Sequence, residues 1–427
     1  MKHEKKKRIL PLILLIGFPV LLLAGVLFYV LDGNWAVAIL LAVFSLLSLS
    51  LALATARGFG RKVRLAGRIG AVTCTGLLGL VALAALFLVV MLNTSLLPQM
   101  KTKYVLRFYQ TSNPWLVSAF TPEDNILKIF QENGVEAPEG STDVNSIQVG
   151  ASTAESATTT GESVTTTTTT TTTTVTTTTT TRSPDAASPE DYPATVIYEE
   201  DGLRVSEIKN ANFTARLAEV SDPKRVSLGV TNRYGKFGEK LLNMCQRTDS
   251  VLGINAGGFY DPKGSGNGGI PSYLLVRDYQ IVYSDGQARH NVIGLNEEGV
   301  LILGNFTNQE ILDHKIKEGT SFKPFLIVNG KKSTFYGEAG GRDPRSAIGQ
   351  RPDGTILLLT ADGRQSGMEG ANQREMGNIM EAYGAYNAAA LDGGSSTTMV
   401  LNGQIINKPC SLYGPRYLNT AWLVSKK

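Results

Sequence analysis

Residues 387–403 read NAAALDGGSSTTMVLNG, and this stretch is the most informative part of the chain. A short apolar run ends in the carboxylate of Asp392, two glycines and four hydroxyl side chains follow, and a second apolar run closes on Asn402-Gly403. This order predicts a strand, a tight turn and a second strand, with Asp392 at a strand end. A plain hairpin explains Asn402-Gly403, but it does not require an acid, two glycines and four hydroxyls together. Because loops at strand ends often carry function, we predict a functional site here.

The surrounding region, residues 195–427, is typical of a globular domain that is long enough to bury a core. Short β-rich runs predict strands at Thr195–Glu199, Arg225–Val230, Tyr273–Val276, Ile281–Tyr283, Val300–Leu303 and Thr355–Thr360. Two segments predict helices, Lys236–Gln246 and Gln373–Tyr383. Hairpin signals recur at Asn329-Gly330, Asp353-Gly354 and Asn402-Gly403. We therefore expect an α+β fold with a mixed central sheet and flanking helices.

The N-terminal region contains three apolar stretches, each long enough to cross a bilayer, which requires about 20 apolar residues: Ile9–Leu31, Trp35–Ala56 and Ile69–Leu92. Basic residues precede the first stretch and fill the loop Arg57–Arg68, whereas the loop 32–34 carries none. By the positive-inside rule, the N-terminus is cytoplasmic and everything after Leu92 lies outside. We expect residues 1–93 to be a multi-pass anchor in the cell membrane, with the lipid bilayer as a partner.

Two segments connect the predicted anchor to the globular domain. Residues 94–139 form a juxtamembrane region with a short helix predicted at Glu123–Gln131. Residues 140–194 form a Thr/Ser/Pro-rich linker, in which Thr165–Thr181 is interrupted only by Val175. The linker has too little apolar surface to offset the entropy of ordering, so we expect it to be extended or disordered. Its composition is typical of an exposed, O-glycosylated stalk that lifts the C-terminal domain off the membrane.

Charge, cysteine usage and the absence of common motifs exclude several function classes. The net charge is only +4 and the basic residues form no stripe, which argues against nucleic-acid binding. Cys74 is interpreted as a packing residue, and the pairing of Cys245 with Cys410 is left open. The chain has no Gly-x-Ser-x-Gly, Cys-x-x-Cys or His-Glu-x-x-His sequence, and its glycine-rich loop Asp261–Ile270 lacks a P-loop ending. We interpret that loop as a mobile rim of the site and expect neither a metal nor another cofactor.

Five short motifs occur in one order and together resemble the phosphodiester glycosidase family, over about Val251–Val424: Asn255-Ala-Gly-Gly-Phe-Tyr260, Arg345-Ser-Ala-Ile-Gly349, Ala361-Asp-Gly363, Gly370-Ala-Asn-Gln-Arg-Glu-Met376 and the Asp392 segment. Each motif is weak alone, but the ordered set is specific. The resemblance implies hydrolysis of a sugar-1-phosphodiester.

Such a reaction requires carboxylates to activate water and stabilise positive charge on the sugar ring, and guanidinium groups to bind phosphate. The resemblance therefore implies three catalytic carboxylates: Asp392, Glu375 and Asp362. It implies a substrate-binding set: Asn255, Gly257, Arg345, Asn372, Ser396 and Arg416. In this set Asn255 bonds sugar hydroxyls, Gly257 leaves their path open, and Arg345 and Arg416 bind phosphate.

Most of these candidates also have a purely structural interpretation. Arg345 is explained equally well by a salt bridge at a strand edge, and Asp362 by an ordinary turn after a strand. Glu375 lies near a helix start, where an acid meets the positive end of the helix dipole. Asn255 fits a strand-to-loop exit, and Arg416 fits an exposed surface position.

Together these observations predict a membrane-anchored extracytoplasmic hydrolase of glycosyl phosphodiesters in cell-surface or cell-wall glycopolymers. The expected partner is a phosphorylated glycan or glycopolymer, and protein partners are unknown. The alternative is a non-catalytic module on a stalk that binds anionic surface glycans. Three carboxylates in the predicted site favour the enzyme, because acids repel an anionic ligand unless they take part in chemistry.

Overall fold

The computed structural model describes residues 84–85, 87–109, 115–150, 187–261, 266–411 and 413–427. The first two predicted membrane spans and most of the third lie outside these residues, as does the threonine tract. Among the described helices, none is long and apolar enough to cross a membrane. The chain divides into two compact units, of which one ends at Glu132 and the other runs from Asn133 to Lys427.

The described part of the first unit is helical. It contains α1 (Pro98–Phe108), α2 (Trp115–Ser118) and α3 (Glu123–Glu132). Leu92, Val105, Val117 and Ile126 are all fully buried and form its core. The helix predicted near Glu123 is confirmed as α3, whose apolar residues recur at helical spacing.

The second unit is rich in strands. They are β1 (Val135–Glu136), β2 (Ala194–Glu200), β3 (Leu203–Lys209), β4 (Thr214–Val220), β5 (Val226–Val230), β6 (Glu239–Lys240), β7 (Ser250–Asn255), β8 (Leu274–Arg277), β9 (Gln280–Ser284), β10 (His290–Leu295), β11 (Leu301–Phe306), β12 (Glu318–Ser321), β13 (Phe325–Val328), β14 (Lys331–Lys332), β15 (Thr334–Phe335), β16 (Arg345–Gln350), β17 (Ile356–Ala361), β18 (Asn387–Leu391), β19 (Met399–Leu401), β20 (Gln404–Ile405), β21 (Tyr417–Leu418) and β22 (Thr420–Ser425). Its helices are α4 (Leu241–Arg247), α5 (Asn308–Asp313) and α6 (Gln373–Ala382), with 3-10 turns at Val144–Ser146, Pro223–Arg225 and Gly394–Ser396.

The strands form three large sheets. The eight-stranded sheet has the order β14-β13-β18-β16-β17-β4-β3-β2, and the five-stranded sheets have the orders β11-β10-β12-β8-β9 and β20-β19-β7-β22-β5. Neighbouring strands are antiparallel in each of them. The predicted α+β class is confirmed, whereas the predicted mixed central sheet is replaced by three sheets in which every pairing is antiparallel.

The central strands of the eight-stranded sheet are buried on both faces, whereas its edge strand β2 is mostly exposed. On β17, Ile356 and Leu358 pack into a core shared with the two five-stranded sheets, whereas Leu357 and Leu359 pack with α6. This explains the continuous apolar run of β17, because a strand buried on both faces does not alternate. The sheets meet near the C-terminal ends of β7 and β18, which positions the residues that follow these strands.

The predicted helix Lys236–Gln246 is wrong in its first half. Glu239 and Lys240 are extended and pair with β21, and α4 begins only at Leu241. Pairing of Glu239 and Lys240 with a distant strand overrides the local helical preference there.

The residues before the threonine tract belong to the second unit, which corrects the predicted boundary at residue 139 and the predicted linker 140–194. Strand β1 pairs with β15, and the N–H of Leu303 donates to Oγ1 of Thr142 at 2.9 Å. The N–H of Gln148 donates to the Pro352 carbonyl at 2.7 Å. Beyond the tract, the N–H of Ala187 donates to Oε2 of Glu381 at 2.9 Å. The described residues on either side of 151–186 therefore belong to the same unit.

Candidate active site

Asp392 lies at the junction of two sheets. It directly follows β18, which runs between β13 and β16 in the eight-stranded sheet. Its N–H donates to the Ala256 carbonyl at 2.9 Å, and its carbonyl accepts from Nδ2 of Asn255 at 2.6 Å. The predicted strand, turn and strand are present, but β18 and β19 do not pair, because β19 joins the sheet of β7. The turn therefore carries the chain from one sheet to another, which a plain hairpin does not do.

The carboxyl group of Asp392 is half-buried, and its pKa is raised toward neutral pH. Burial raises the pKa of Asp392 from 3.8 to about 6. The Ser396 hydroxyl, the Gly393 N–H and the positive charge of Arg416 lower this pKa, and the negative charge of Asp261 raises it. Burial dominates because a charged carboxylate loses solvation that its donors only partly replace. A carboxyl group with such a pKa is suited to proton transfer or charge stabilisation near neutral pH.

Three arginine side chains surround the loop 393–395 that follows this carboxyl group. A β-carbon on the first residue would lie 3.8 Å from Cδ of Arg345, and one on the second would lie 3.5 Å from Nη1 of Arg364. The hydroxyl of the third residue accepts from Nη1 of Arg416 at 3.3 Å. A β-carbon on the first residue would also lie 2.8 Å from the Pro344 carbonyl oxygen, so packing requires glycine there, and the second residue has φ +59°.

Arg345 is the arginine of this group that forms no ion pair in the described structure. Its Nη2 donates to the carbonyls of Gly340 and Gly341, each at 2.9 Å. Burial lowers the pKa of Arg345, Asp343 raises it, and the positive charge of Arg364 lowers it further. No hydrogen-bond partner for Nη1 is found among the described residues. A desolvated guanidinium with a free nitrogen is a favourable partner for an anionic ligand.

The other two arginines are held by carboxylates. Nε of Arg364 donates to Oδ1 of Asp343 at 2.7 Å. Nη2 of Arg416 donates to Oδ2 of Asp261 at 3.0 Å, and its guanidinium lies 5.0 Å from the ring centroid of Phe259. These contacts orient the two guanidinium groups around the loop. Arg345, Arg364 and Arg416 thus form an arginine cluster that can neutralise an anion beside the Asp392 carboxyl group.

Glu375, a predicted catalytic acid, is used structurally in this fold. Its Oε1 and Oε2 accept from the two terminal nitrogens of Arg342 at 2.9 and 2.8 Å. It also forms a capping box with Asn372 at the start of α6, in which each side chain accepts from the other's backbone N–H. Both carboxylate oxygens and the Asn372 oxygen are thereby engaged, which favours the structural interpretation of the two residues.

We expect Glu375→Gln to lower the free energy of unfolding by about 1–3 kcal/mol, because a charge-assisted pair with Arg342 becomes a neutral one. Turnover per folded molecule should stay within about twofold, since Glu375 lies outside the arginine cluster. Chemical denaturation and steady-state kinetics on one preparation test both statements. A variant that keeps its stability but loses turnover about 10²-fold, the effect of removing a catalytic acid, would return Glu375 to the catalytic set.

Asp362 is placed beside the cluster but faces the protein interior. It is 2% exposed, and its Oδ1 accepts from Nδ2 of Asn407 at 3.0 Å and from the N–H of Lys408 at 2.9 Å. Burial raises the pKa of Asp362, and these two donors lower it. The carboxyl group holds the segment after β20 against the end of β17. Its catalytic role stays a prediction, and its geometry suits a positioning residue.

Asn255 and Gly257 also act inside the protein. Oδ1 of Asn255 accepts from the Ser346 hydroxyl at 2.8 Å and from the N–H of Thr398 at 3.1 Å, and the side chain is 0% exposed. Its amide groups therefore join the ends of β7, β16 and β18 instead of facing solvent. A β-carbon at Gly257 would lie 1.9 Å from Oγ1 of Thr320, so glycine is required there for packing. The Asn255 motif therefore fixes the backbone of Asp392 through Asn255 and Ala256.

Of the remaining predicted residues, Ser396 and Arg416 lie in the cluster with Asp392 and Arg345. Ser396 is 4% exposed, and its hydroxyl hydrogen-bonds to the Asp392 carboxyl group and lowers the pKa of that group. The sequence patterns do not single out Arg364 or Asp343. Arg364 directly follows the Asp362-Gly363 turn and has φ +55°, a conformation that orients it toward the loop and that no composition signal reveals. Its position after a predicted strand end was the available signal.

The two described cysteines are free, and Cys410 interacts with Arg364 of the arginine cluster. Burial raises the pKa of the Cys245 thiol to about 12, which makes it unreactive. Cys410 is partly buried, and burial raises the pKa of its thiol while Arg364 lowers it. Cys245 and Cys410 therefore form no disulfide with each other in this structure.

Residues 248–425 match the family model described as phosphodiester glycosidase. The SPbeta prophage-derived uncharacterized protein YomE of Bacillus subtilis (strain 168) is 30% identical over 193 residues, which cover 44% of this chain and 29% of that protein. N-acetylglucosamine-1-phosphodiester alpha-N-acetylglucosaminidase of Homo sapiens is 30% identical over 155 residues, which cover 32% of this chain and 30% of that protein. The chain thus spans about three-tenths of the length of the curated relatives it matches.

Among solved structures, the chain is similar to the catalytic domain of zebrafish N-acetylglucosamine-1-phosphodiester alpha-N-acetylglucosaminidase, auto-inhibited by its pro-peptide. The two are 21% identical with a TM-score of 0.43, and the match covers 55% of this chain and 82% of that chain.

Proposed function

Because residues 248–425 belong to the phosphodiester glycosidase family, we propose that the second unit hydrolyses a glycosyl phosphodiester. The bond cleaved is the one between the anomeric carbon of a sugar and the phosphate oxygen. The observation that carries this proposal is the Asp392 carboxyl group, with three arginines around the loop that follows it. A carboxylate beside guanidinium groups suits a substrate with a phosphate next to an electrophilic carbon.

In this reaction the guanidinium groups of Arg345, Arg364 and Arg416 bind the non-bridging phosphate oxygens. Water adds to the anomeric carbon, the bond from that carbon to the phosphate oxygen breaks, and its electron pair leaves with the phosphate monoester. The leaving phosphate needs little protonation, because the arginines neutralise its charge. Asp392 therefore acts in its ionised form, either as the base that takes a proton from water or as the group that stabilises positive charge on the ring.

Product analysis on the full chain tests this function. Synthetic methyl diesters of sugar 1-phosphates, with several sugars in both anomeric forms, should include one that yields free sugar and methyl phosphate. N-acetylglucosamine is the first sugar to test, since it is the one in the relatives' names. The rival function, a module that binds anionic glycans without turnover, predicts binding of these diesters with no product from any of them.

We further propose that the enzyme is anchored in the cell membrane and acts outside the cytoplasm, on phosphorylated glycopolymers of the cell surface or cell wall. The three apolar stretches before residue 93 and the basic loop Arg57–Arg68 support this orientation. We expect a membrane-impermeant thiol reagent to label Ser188→Cys in intact cells, in a Cys410→Ser background. Labelling that appears only after lysis contradicts the proposed orientation.

A further inference from the structure

A second candidate site is a cavity of about 100 Å³ at the edge of the sheet that contains β8, β10 and β12. Its lining includes Tyr273, His290, Asn291, Ser321, Phe322 and Lys323. It lies outside the arginine cluster, and none of the sequence motifs assigns it a role. The volume holds roughly three water-sized groups, on the basis of the share of liquid volume taken by one water. A three-carbon polyol or the edge of a sugar ring fits this space.

Two contacts place the cavity close to Asp392. The carbonyl of Pro324, the residue after Lys323, accepts from the N–H of Ala390 at 2.9 Å, and Ala390 lies two residues before Asp392. On the other side, a β-carbon at Gly258 would lie 3.3 Å from Cε2 of Phe322. Gly258 lies two residues after Ala256, whose carbonyl bonds Asp392. The cavity is thus adjacent to the site but displaced from the reacting group.

Polar groups in the lining are oriented and have unused bonding capacity. Oδ1 of Asn291 accepts from Nδ2 of Asn305 at 2.8 Å, and Oδ1 of Asn305 accepts from Nε of Arg289 at 2.9 Å. These two hydrogen bonds fix the orientation of the Asn291 amide. Its Nδ2 has no hydrogen-bond partner within the described residues. Lys323 likewise forms no ion pair there.

His290 packs behind the cavity wall. It is 2% exposed, its Nε2 lies 3.2 Å from the Ser284 hydroxyl oxygen, and its Nδ1 lies 3.8 Å from Oδ1 of Asp285. Because its side chain is 0% exposed, a ligand in the cavity does not reach the ring, and the polar contacts fall to Asn291 and Lys323.

We propose that this cavity binds the neighbouring hydroxyl-rich unit of a phosphodiester-linked substrate, with Lys323 beside the next phosphate along the chain. Asn291 bonds a hydroxyl of that unit, and the rings of Tyr273 and Phe322 contact its CH groups. The inference rests on the proposed function, since the reacting sugar lies against Asp392. It identifies the substrate class as a polymer with repeated phosphodiesters instead of an isolated diester.

Two probes with the same reacting bond test the proposal on the full chain. One diester ends in a methyl group, and the other ends in glycerol that carries a second phosphate. We expect kcat/KM to be about tenfold higher for the glycerol probe, the effect of one charge-assisted contact. Lys323→Ala and Asn291→Ala should remove this preference and leave cleavage of the methyl probe unchanged. Lys331→Ala, at an exposed lysine outside the cavity, is the matched control.

Binding of glycerol 3-phosphate, followed by saturation-transfer NMR, provides a readout that does not depend on turnover. We expect a signal with the wild type and with Lys331→Ala, and a loss of that signal with Lys323→Ala. Equal cleavage of the two probes, or glycerol phosphate binding that survives Lys323→Ala, overturns the cavity assignment while the proposed function stands. Cleavage of neither probe, with binding that depends on Lys323, overturns the proposed function but supports the cavity as a binding site.

Discussion

Asp392→Asn is expected to lower turnover by at least about 10²-fold, the lower range for loss of general acid–base assistance. The side chain keeps its size and the oxygen that accepts from the Gly393 N–H, but it can no longer take a proton or carry negative charge. Because the ionised form is the active one, kcat/KM of the wild type should rise with pH and reach half its maximum near pH 6. This ascending limb should be absent from the residual activity of the variant.

The stability of the same variant separates catalysis from folding. The pKa of Asp392 is raised in the folded state, so its contribution to stability is greatest below pH 3.8 and is lost as the pH rises through about 6. Asparagine does not titrate. The melting temperature of Asp392→Asn, relative to wild type, should therefore increase between pH 4 and pH 7. A variant that melts early at every pH and loses activity in proportion would make Asp392 a turn anchor, and wild-type turnover with normal melting would exclude it from catalysis.

Arg345→Lys is expected to lower kcat/KM by about 10- to 100-fold, the range for a charge-assisted hydrogen bond. Lysine keeps the positive charge but cannot donate to the Gly340 and Gly341 carbonyls and to phosphate at the same time, which the planar guanidinium can do. Arg351→Lys is the matched control, because Arg351 is also partly buried but pairs with Glu219 away from Asp392.

Kinetics and chemical denaturation of both arginine variants decide the assignment. The Arg345 variant should show weaker inhibition by methyl phosphate and little change in its free energy of unfolding. The Arg351 variant should keep wild-type kinetics. Activity of Arg345→Lys within about twofold of wild type, less than the loss of one hydrogen bond predicts, would remove Arg345 from the phosphate site.

The sequence predicts the position of Asp392 because local patterns determine it. An apolar run that ends at an acid and two glycines is sufficient to place the carboxyl group at a strand end. The six strands predicted from short β-rich runs lie within a few residues of β2, β5, β8, β9, β11 and β17, whereas β3, β4 and β10 were not predicted. What local patterning does not predict is that β18 and β19 belong to different sheets, since this depends on pairing of β19 with the distant strand β7.

The roles of the other candidates depend on partners far away in sequence. Glu375 is engaged by Arg342, Asn255 by Ser346, and Gly257 by Thr320, and no motif in the chain specifies these contacts. A family motif indicates which residues surround a site, but burial and bonding decide which of them reach the substrate. The same limit explains the domain boundary, because Thr142 bonds Leu303 across a long stretch of sequence.

Hydrolysis of an accepted methyl diester in ¹⁸O-enriched water distinguishes attack at the anomeric carbon from attack at phosphorus. Attack at the anomeric carbon leaves the phosphate oxygens untouched, so methyl phosphate should contain no ¹⁸O, seen as an unshifted ³¹P NMR signal, and Asp392→Asn should form it at least about 10²-fold more slowly. Methyl phosphate that contains ¹⁸O would show attack at phosphorus, and it would contradict the assignment of this site to glycosidic cleavage.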